Sequence, residues 1–393
     1  MNPTNCQTEQ RIRNIENGLV VFTTPMDMFQ PDSTTTKGLK TLSERMAYYK
    51  APGVSMAVIN EGKIDWARGY GVVKAGDDTP VTTETLFEAA SSTKLLTSAI
   101  TLRLVEQGWL DLDEDVNKQL KSWKIPENHF TRQHKVTLRL LLTHQSGLNR
   151  PDGGFDWEDG SAPSLIQILK GEPPAKNKAA VPEYVPGSKW QYSNIGYVVI
   201  QLLLEDVLGK PFTQIAQENV FDPVGMKSST LVYPLNAELE QREAMPHDSE
   251  GKACEPSMIP TAVAHGGLVT TPSDFALFTI ELMYAYQGRS ERILSQEMVR
   301  RMFHPELELD PAILGVPLGA GLGVFLYGKG RNFSFLHPGG NDPGTECWPV
   351  GFPDSGKGAV IMVNGVKGGL LAMEITSAMA NEYDWPTVHH ITN

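Results

Sequence analysis

An α+β fold, an antiparallel sheet flanked by helices with a mostly helical region inserted between the chain segments that build the sheet, is what the sequence predicts. Three observations carry it. A strand, turn and second strand open the chain after a short helix, strand-like runs return only towards the end, and helical periodicity with Pro/Gly-rich loops dominates between them. The expected division is an N-terminal lead over 1–30, a sheet domain over 31–110 and 255–393, and a mostly helical domain over 111–254.

The elements follow in order. Leu39 to Tyr49 has helical spacing, and GVSMAVI (Gly53 to Ile59) reads as a buried strand by its β-branched content. Asn60-Glu61-Gly62 is a turn, and IDWARGYGVV is close enough to pair back as a hairpin. From Ser92 to Gln107 the apolar residues Leu95, Leu96, Ala99, Ile100, Leu102 and Val105 cluster at helical spacings, with Gly108 as a stop. LRLLLTHQSGL and YVVIQLLLEDVLGK read as helical. GAGLGVFLYG and GAVIMVNG read as strands, and a last helix runs from about Leu370 to Glu382.

Composition narrows the function. With 40% hydrophobic and 20% charged residues the 393-residue chain is ordinary globular material, able to bury a large core. Its 34 Lys and Arg against 46 Asp and Glu give a net charge of -12, which repels nucleic acid and anionic lipid and leaves a small-molecule substrate as the expected partner. Cys6, Cys254 and Cys347 lack the spacing of a zinc or redox site, and no metal or other cofactor is expected. The polar N-terminus has no apolar signal core and no stretch reaches the length of a membrane span. As written, the chain is expected to be cytoplasmic; a removed signal peptide would make it periplasmic or secreted.

The chemistry starts at Ser91-Ser92-Thr93-Lys94, a Ser-x-x-Lys at the mouth of the predicted helix. Residues three apart share a helical face, so the Lys94 amine can reach the Ser91 hydroxyl while the helix N-terminus favours a developing alkoxide. Roughly one or two such matches arise by chance in a chain this long. Ser249-Glu250-Gly251-Lys252, in a polar stretch without helical pattern, is expected to be the chance one. A second element, Tyr192-Ser193-Asn194, follows a Pro-Gly turn and precedes an apolar helix. Tyr can relay a proton and Asn can orient a carbonyl, although Tyr192 alone reads as a half-buried core aromatic. The third, His337-Pro338-Gly339-Gly340, alone reads as a turn, but its glycines allow a backbone N–H to approach a substrate.

In this order and at these separations the three elements resemble the active-site signature of the serine beta-lactamase and penicillin-binding-protein superfamily. The match is closest to its class C-like branch and the related family VIII carboxylesterases. The resemblance runs from about Ala51 to Trp385 and includes TLFEAASSTK, RLVEQGWLDLDEDV, VTLRLLLTHQSGL, FDPVGM and GGLVTTPSDFALF. It implies a beta-lactamase/transpeptidase-like fold, Ser91 as nucleophile, Lys94 as general base, and Tyr192 as the acid that protonates the leaving group. Asn194 would bind the acyl side of the substrate, and His337, Gly339 and Gly340 would also be substrate-binding. The backbone N–H groups of Ser91 and Gly340 would make the oxyanion hole.

At the third motif the chain departs from the lactamase branch, whose Lys-Thr-Gly holds a substrate carboxylate. Here the matching residues are His337, Pro338 and Gly339. Pro338 has no donor, and a His with an ordinary value near 6.5 is partly cationic at neutral pH, so anion preference is expected to grow on acidification through that value. The expectation is therefore a carboxylesterase acting on small or unhindered esters. The alternatives are a D-aminopeptidase, amidase or D,D-peptidase with weak beta-lactamase activity, and, in another class, a non-catalytic penicillin-recognising module. His144, inside a framework phrase, is expected to be structural. No Gly-x-Ser-x-Gly elbow occurs, and the walls near Trp157, Trp190 and Trp348 would shape the pocket.

Overall fold

The computed structural model describes residues 3–28, 38–150, 155–157, 160–256, 258–310, 318–341 and 344–386. The main helices are α1 (Pro3–Glu16), α2 (Leu42–Tyr49), α3 (Thr93–Glu106), α4 (Leu138–Leu142), α5 (Asn194–Leu208), α6 (Pro272–Tyr286) and α7 (Gly368–Tyr383). The strands are β1 (Gly53–Asn60), β2 (Lys63–Gly71), β3 (Phe87–Glu88), β4 (Val269–Thr270), β5 (Leu307–Glu308), β6 (Gly319–Ala320), β7 (Phe325–Tyr327), β8 (Ser334–Leu336), β9 (Gly339–Gly340), β10 (Glu346–Phe352) and β11 (Lys357–Val363).

Strand alternation sorts the core into two layers. On β1 and β11, Ala57, Ile59, Val360 and Met362 face the layer containing α3, α5 and α6. Met56, Val58, Ala359 and Ile361 face the other, with residues of α1, α2 and α7. Both strands are buried on both faces, which explains their unbroken apolar runs. The antiparallel sheet runs β2-β1-β11-β10-β8-β7-β6-β5, with β9 pairing β10, and β3 and β4 form a separate short ladder. The sheet joins strands from both ends of the sequence: Val54 to Ile59 pair with Val363 to Gly358.

Three segments differ from the sequence expectation. The polar N-terminal lead contains α1, whose Ile12 and Ile15 are buried against the α7 layer. Two apolar residues among polar ones were too sparse a stripe to stand out. GAGLGVFLYG is a hairpin of β6 and β7 rather than one strand: Gly321 N–H bonds Val324 O at 2.9 Å. A β-carbon on Gly323 would lie 1.8 Å from Ser98 Oγ, so a glycine with φ +75° makes this turn. LRLLLTHQSGL is helical only over α4, because Gln145 onward turns away through His144 at φ 58°. Among the described residues no helix is long and apolar enough to cross a membrane.

A buried carboxylate on α7 ties the outer layer together. Glu374 accepts from Arg45 Nε at 2.8 Å, from the Tyr49 hydroxyl at 2.9 Å, and from the Phe22 N–H at 2.9 Å. The Arg45 and Glu374 side chains are 6% and 0% exposed, so neither charge has water to fall back on. Removing one partner of such a pair leaves the other uncompensated, and Glu374→Ala is expected to cost about 3–5 kcal/mol. Urea denaturation checks this; a loss below about 1 kcal/mol would show that the layer does not depend on the pair.

Candidate active site

Ser91 sits in a 3-10 turn, Ala90–Ser92, wedged between β3 and α3. Ala90 adopts φ 44°, a conformation costly for a residue with a β-carbon, and the surroundings hold it there. Ala89 N–H bonds Leu268 O at 2.8 Å, and the Thr93 hydroxyl donates to Ala90 O at 2.7 Å while accepting from Leu268 N–H. Ser92 is the staple to the third motif, its buried hydroxyl donating to His337 O at 2.7 Å. The sequence offered no signal for this division of labour between the adjacent serines.

One turn into α3, Lys94 is fully buried and its Nζ lies 3.0 Å from Ser91 Oγ. It donates to the His265 carbonyl at 2.6 Å. The amine sits over the rings of Tyr192 and Tyr197, 5.0 and 5.5 Å from their centroids. None of the carboxylates in the described ion pairs belongs to it, and burial holds it well below the usual lysine range. A neutral amine with a free lone pair, beside a serine hydroxyl, is a general base.

Burial pushes the Tyr192 phenol far above the usual range, so the hydroxyl keeps its proton. Its position is set by His144. The N–H of Gln191 bonds His144 O at 2.9 Å, the N–H of Ser193 bonds His144 Nδ1 at 3.2 Å, and the imidazole packs on the Tyr192 ring at 4.2 Å. His144 is thus a support, held neutral by burial. Asn194 is the first residue of α5, behind the N-cap Ser193, and its buried Oδ1 has no hydrogen-bond partner among the described residues. Trp190 packs against His144 and Tyr192, Trp157 pairs with Ala175 in an isolated bridge, and Trp348 is a buried member of the α7 layer.

β9 runs beside the Ser91 turn. A β-carbon on Gly339 would lie 2.2 Å from Ala89 O and 2.7 Å from Ser91 N, so only glycine permits this approach. Gly340, next along, is exposed. His337, on the same run, corrects the sequence expectation of partial charge. It is 1% exposed, its ring 5.1 Å from Phe325 and 6.4 Å from Tyr192, and burial pushes it down to about 3. It is a neutral imidazole across the whole physiological range. Sequence reasoning also missed His265, whose carbonyl holds Lys94 and whose ring, held down to about 3 by burial, meets Phe155 edge-on at 5.0 Å.

Ser249 and Lys252 lie in a turn closed by Asp248 N–H to Lys252 O at 3.0 Å, not on a helix. Among the described residues no group of three His, Cys, Asp or Glu side chains could hold a metal ion. A cavity of about 740 Å³ opens at the β5–β6 edge, lined by Tyr286, Arg300, Phe303 and Phe333 among others. It contains no serine, so the geometry that supports chemistry lies at Ser91.

The beta-lactamase family model matches residues 40–380. The D-alanyl-D-alanine-carboxypeptidase/endopeptidase AmpH of Escherichia coli (strain K12) is 27% identical over 325 residues, 80% of this chain and 79% of that protein. Among solved structures, the octameric penicillin-binding protein homologue from Pyrococcus abyssi is similar with a TM-score of 0.71 at 26% identity, over 86% of this chain and 75% of that one. The D-amino acid amidase from Ochrobactrum anthropi SV3 shares the fold, with a TM-score of 0.68 at 23% identity over 86% and 96%.

Because β9 and the Ser91 turn touch through a missing β-carbon, Gly339→Ala must move them apart. If this strand carries an oxyanion donor, kcat should fall on the order of 10²–10³-fold, as for loss of one such donor. Steady-state kinetics beside a melting curve tests it: a cooperatively folded variant with activity within a few-fold of wild type would refute the argument.

Proposed function

The chain belongs to the beta-lactamase family and is a serine hydrolase, and from that premise we propose that Ser91 is its nucleophile and that it opens neutral esters or amides through an acyl-enzyme. The observation that carries this reading is the 3.0 Å approach to Ser91 Oγ of the buried Lys94 amine, which burial holds well below the usual lysine range.

In the proposed sequence Lys94 takes the Ser91 proton as Oγ attacks the substrate carbonyl. The oxygen that gains the negative charge is held by the N–H groups of Ser91 and Gly340. Tyr192, still protonated, delivers a proton to the leaving group and is reprotonated from Lys94. A water activated by the same pair then releases the acyl group and returns the proton to Ser91. Asn194, with its unpaired buried carbonyl oxygen, is suited to accept a hydrogen bond from an acyl-side amide.

Preference for neutral substrates is supported by His337. An uncharged, buried imidazole and a proline stand where an anion-binding site would need a cation and a donor. Carboxylesterase action on small or unhindered esters is therefore the leading substrate reading. A second reading, a D,D-peptidase or D-amino-acid amidase, has one observation in its favour: the exposed Arg150 guanidinium lies near enough to act on Tyr192 and His144. It could supply the charge that His337 lacks.

Ser91→Ala should abolish hydrolysis of a chromogenic ester while Ser249→Ala leaves it unchanged. Intact mass after treatment with an acylating phosphonate should show one adduct, lost only in the Ser91 variant; wild-type protein that takes up no adduct sinks the enzyme reading of this site. His337 gives a second expectation. Its value near 3 keeps it neutral from about pH 5 to 8, so the ratio of kcat/KM for a carboxylate-bearing substrate to that for its methyl ester should stay flat over that range. A rise on acidification through about pH 6.5, the ordinary histidine value, would mean a cationic His337 and count against it.

A further inference from the structure

The carboxyl of Glu346 lies directly behind the strand assigned as the oxyanion wall. In the β9–β10 ladder Glu346 is the partner of Gly340, and Gly339 the partner of Cys347. The two glycines of β9 point their missing side chains opposite ways. A β-carbon on Gly339 would strike the Ser91 turn, whereas one on Gly340 would lie 2.5 Å from Glu346 Oε2 and 2.6 Å from Oε1. The first turn of α7 approaches the carboxyl from the other side, where a β-carbon on Gly368 would lie 3.1 Å from Glu346 Cβ and one on Gly369 3.6 Å from Oε2. Three glycines thus make a slot the size of one carboxyl group.

We propose that Glu346 is a positioning residue for the Gly340 wall, supporting acyl transfer while its carboxyl is protonated and opposing it once ionised. The inference rests on the reading of Ser91 as nucleophile and Gly340 as oxyanion donor. The physical cause is charge of like sign. A neutral carboxyl fills the slot without affecting the adjacent N–H, while a carboxylate there repels the negative charge that develops on the substrate oxygen in the transition state. The uncharged carbonyl of the bound substrate is little affected.

The surroundings favour the neutral form. Glu346 is half-buried and makes no side-chain hydrogen bond or ion pair among the described residues, and desolvation pushes it up to about 8. The groups on the elements packed against it titrate elsewhere or are engaged. Cys347, next on β10, is pushed up to about 12, and Lys367, before α7, donates to Ser249 O at 3.3 Å. His247, whose backbone bonds Gly344 and Val366, is held below its usual value by burial. β11 presents Val363 opposite Glu346, and Asp342 lies outside the described residues. On the Ser91 side, Lys94 and His337 are depressed and Tyr192 is raised. Glu243, raised to about 7 beside Glu88, is the one neighbouring carboxyl whose range overlaps, and it stands behind Asn341 through the Glu88 contact at 2.8 Å.

The experiment is the pH dependence of the pre-steady-state acylation rate on a neutral chromogenic ester from pH 6.5 to 10. It is run on wild type, Glu346→Gln and Glu243→Gln. Wild type should lose about tenfold or more in acylation rate through about pH 8, with the substrate dissociation constant from the same pre-steady-state data unchanged, since only the transition state carries the charge. Glu346→Gln, isosteric and uncharged, should remove that loss, and Glu243→Gln should retain it. A wild-type rate that is flat to pH 10 overturns the proposal whether or not the variants fold. So does a Glu346→Gln profile that superposes on wild type, or a pH effect confined to the substrate dissociation constant. These outcomes leave the Ser91 reading standing; the absence of a phosphonate adduct on Ser91 removes that reading separately.

Discussion

The burial of one amine without a counter-ion governs this site. Lys94 lies fully buried at the foot of α3, and what surrounds it is a carbonyl, a hydroxyl, two phenol rings and neutral imidazoles. A charged ammonium in that position would carry a desolvation penalty of several kcal/mol with no carboxylate to offset it, so the amine gives up its proton instead. The same burial holds His144, His265 and His337 uncharged, which leaves the site without a titrating imidazole near neutrality. Basicity is thereby concentrated on a single nitrogen beside Ser91.

Holding that arrangement requires that parts of the chain far apart in sequence meet within tenths of an ångström. The contacts are mostly main-chain ones: Ser92 to the carbonyl of His337, Thr97 to that of Ala264 at 2.7 Å, Lys94 to that of His265. Backbone carbonyls are displaced less by substitution than side chains are, and they present lone pairs at fixed angles. The glycines serve the same end. Gly339 and Gly340 let β9 pass between the Ser91 turn and Glu346, and any side chain on either would need one neighbour to retreat. The strained φ of Ala90 is the local counterpart, a backbone conformation sustained because both flanks of the turn are anchored.

Outside the site the same economy recurs in the α7 layer, where Glu374 satisfies Arg45, Tyr49 and Phe22 N–H together. That layer backs β10 and β11, the strands on which β9 depends. The first turn of α7 also borders the slot around Glu346, so the helix that stabilises the sheet bears on the oxyanion wall as well.

The amino-acid sequence by itself determined the α+β class, the opening hairpin, the long helices and the Ser91–Lys94 pairing, because each depends on neighbours within a few residues. A period of 3.6 or 2, a Gly stop and a three-residue spacing are local, and they survive in the structure as β1, β2, α3, α5 and α7. Tyr192 and the third motif could be named from their order along the chain. Tertiary structure alone decided the rest. The charge of His337 depends on what buries it, the role of His144 on which residues flank Tyr192 in space, and Glu346 gained meaning only when the β9–β10 register put it behind Gly340. Helix α1 and the β6–β7 turn were hidden for a related reason, since sparse apolar residues and glycines acquire a conformation only from the surface they pack on. Burial and register are properties of contacts between distant segments, and a titrating group takes its chemistry from those contacts rather than from its place in the chain.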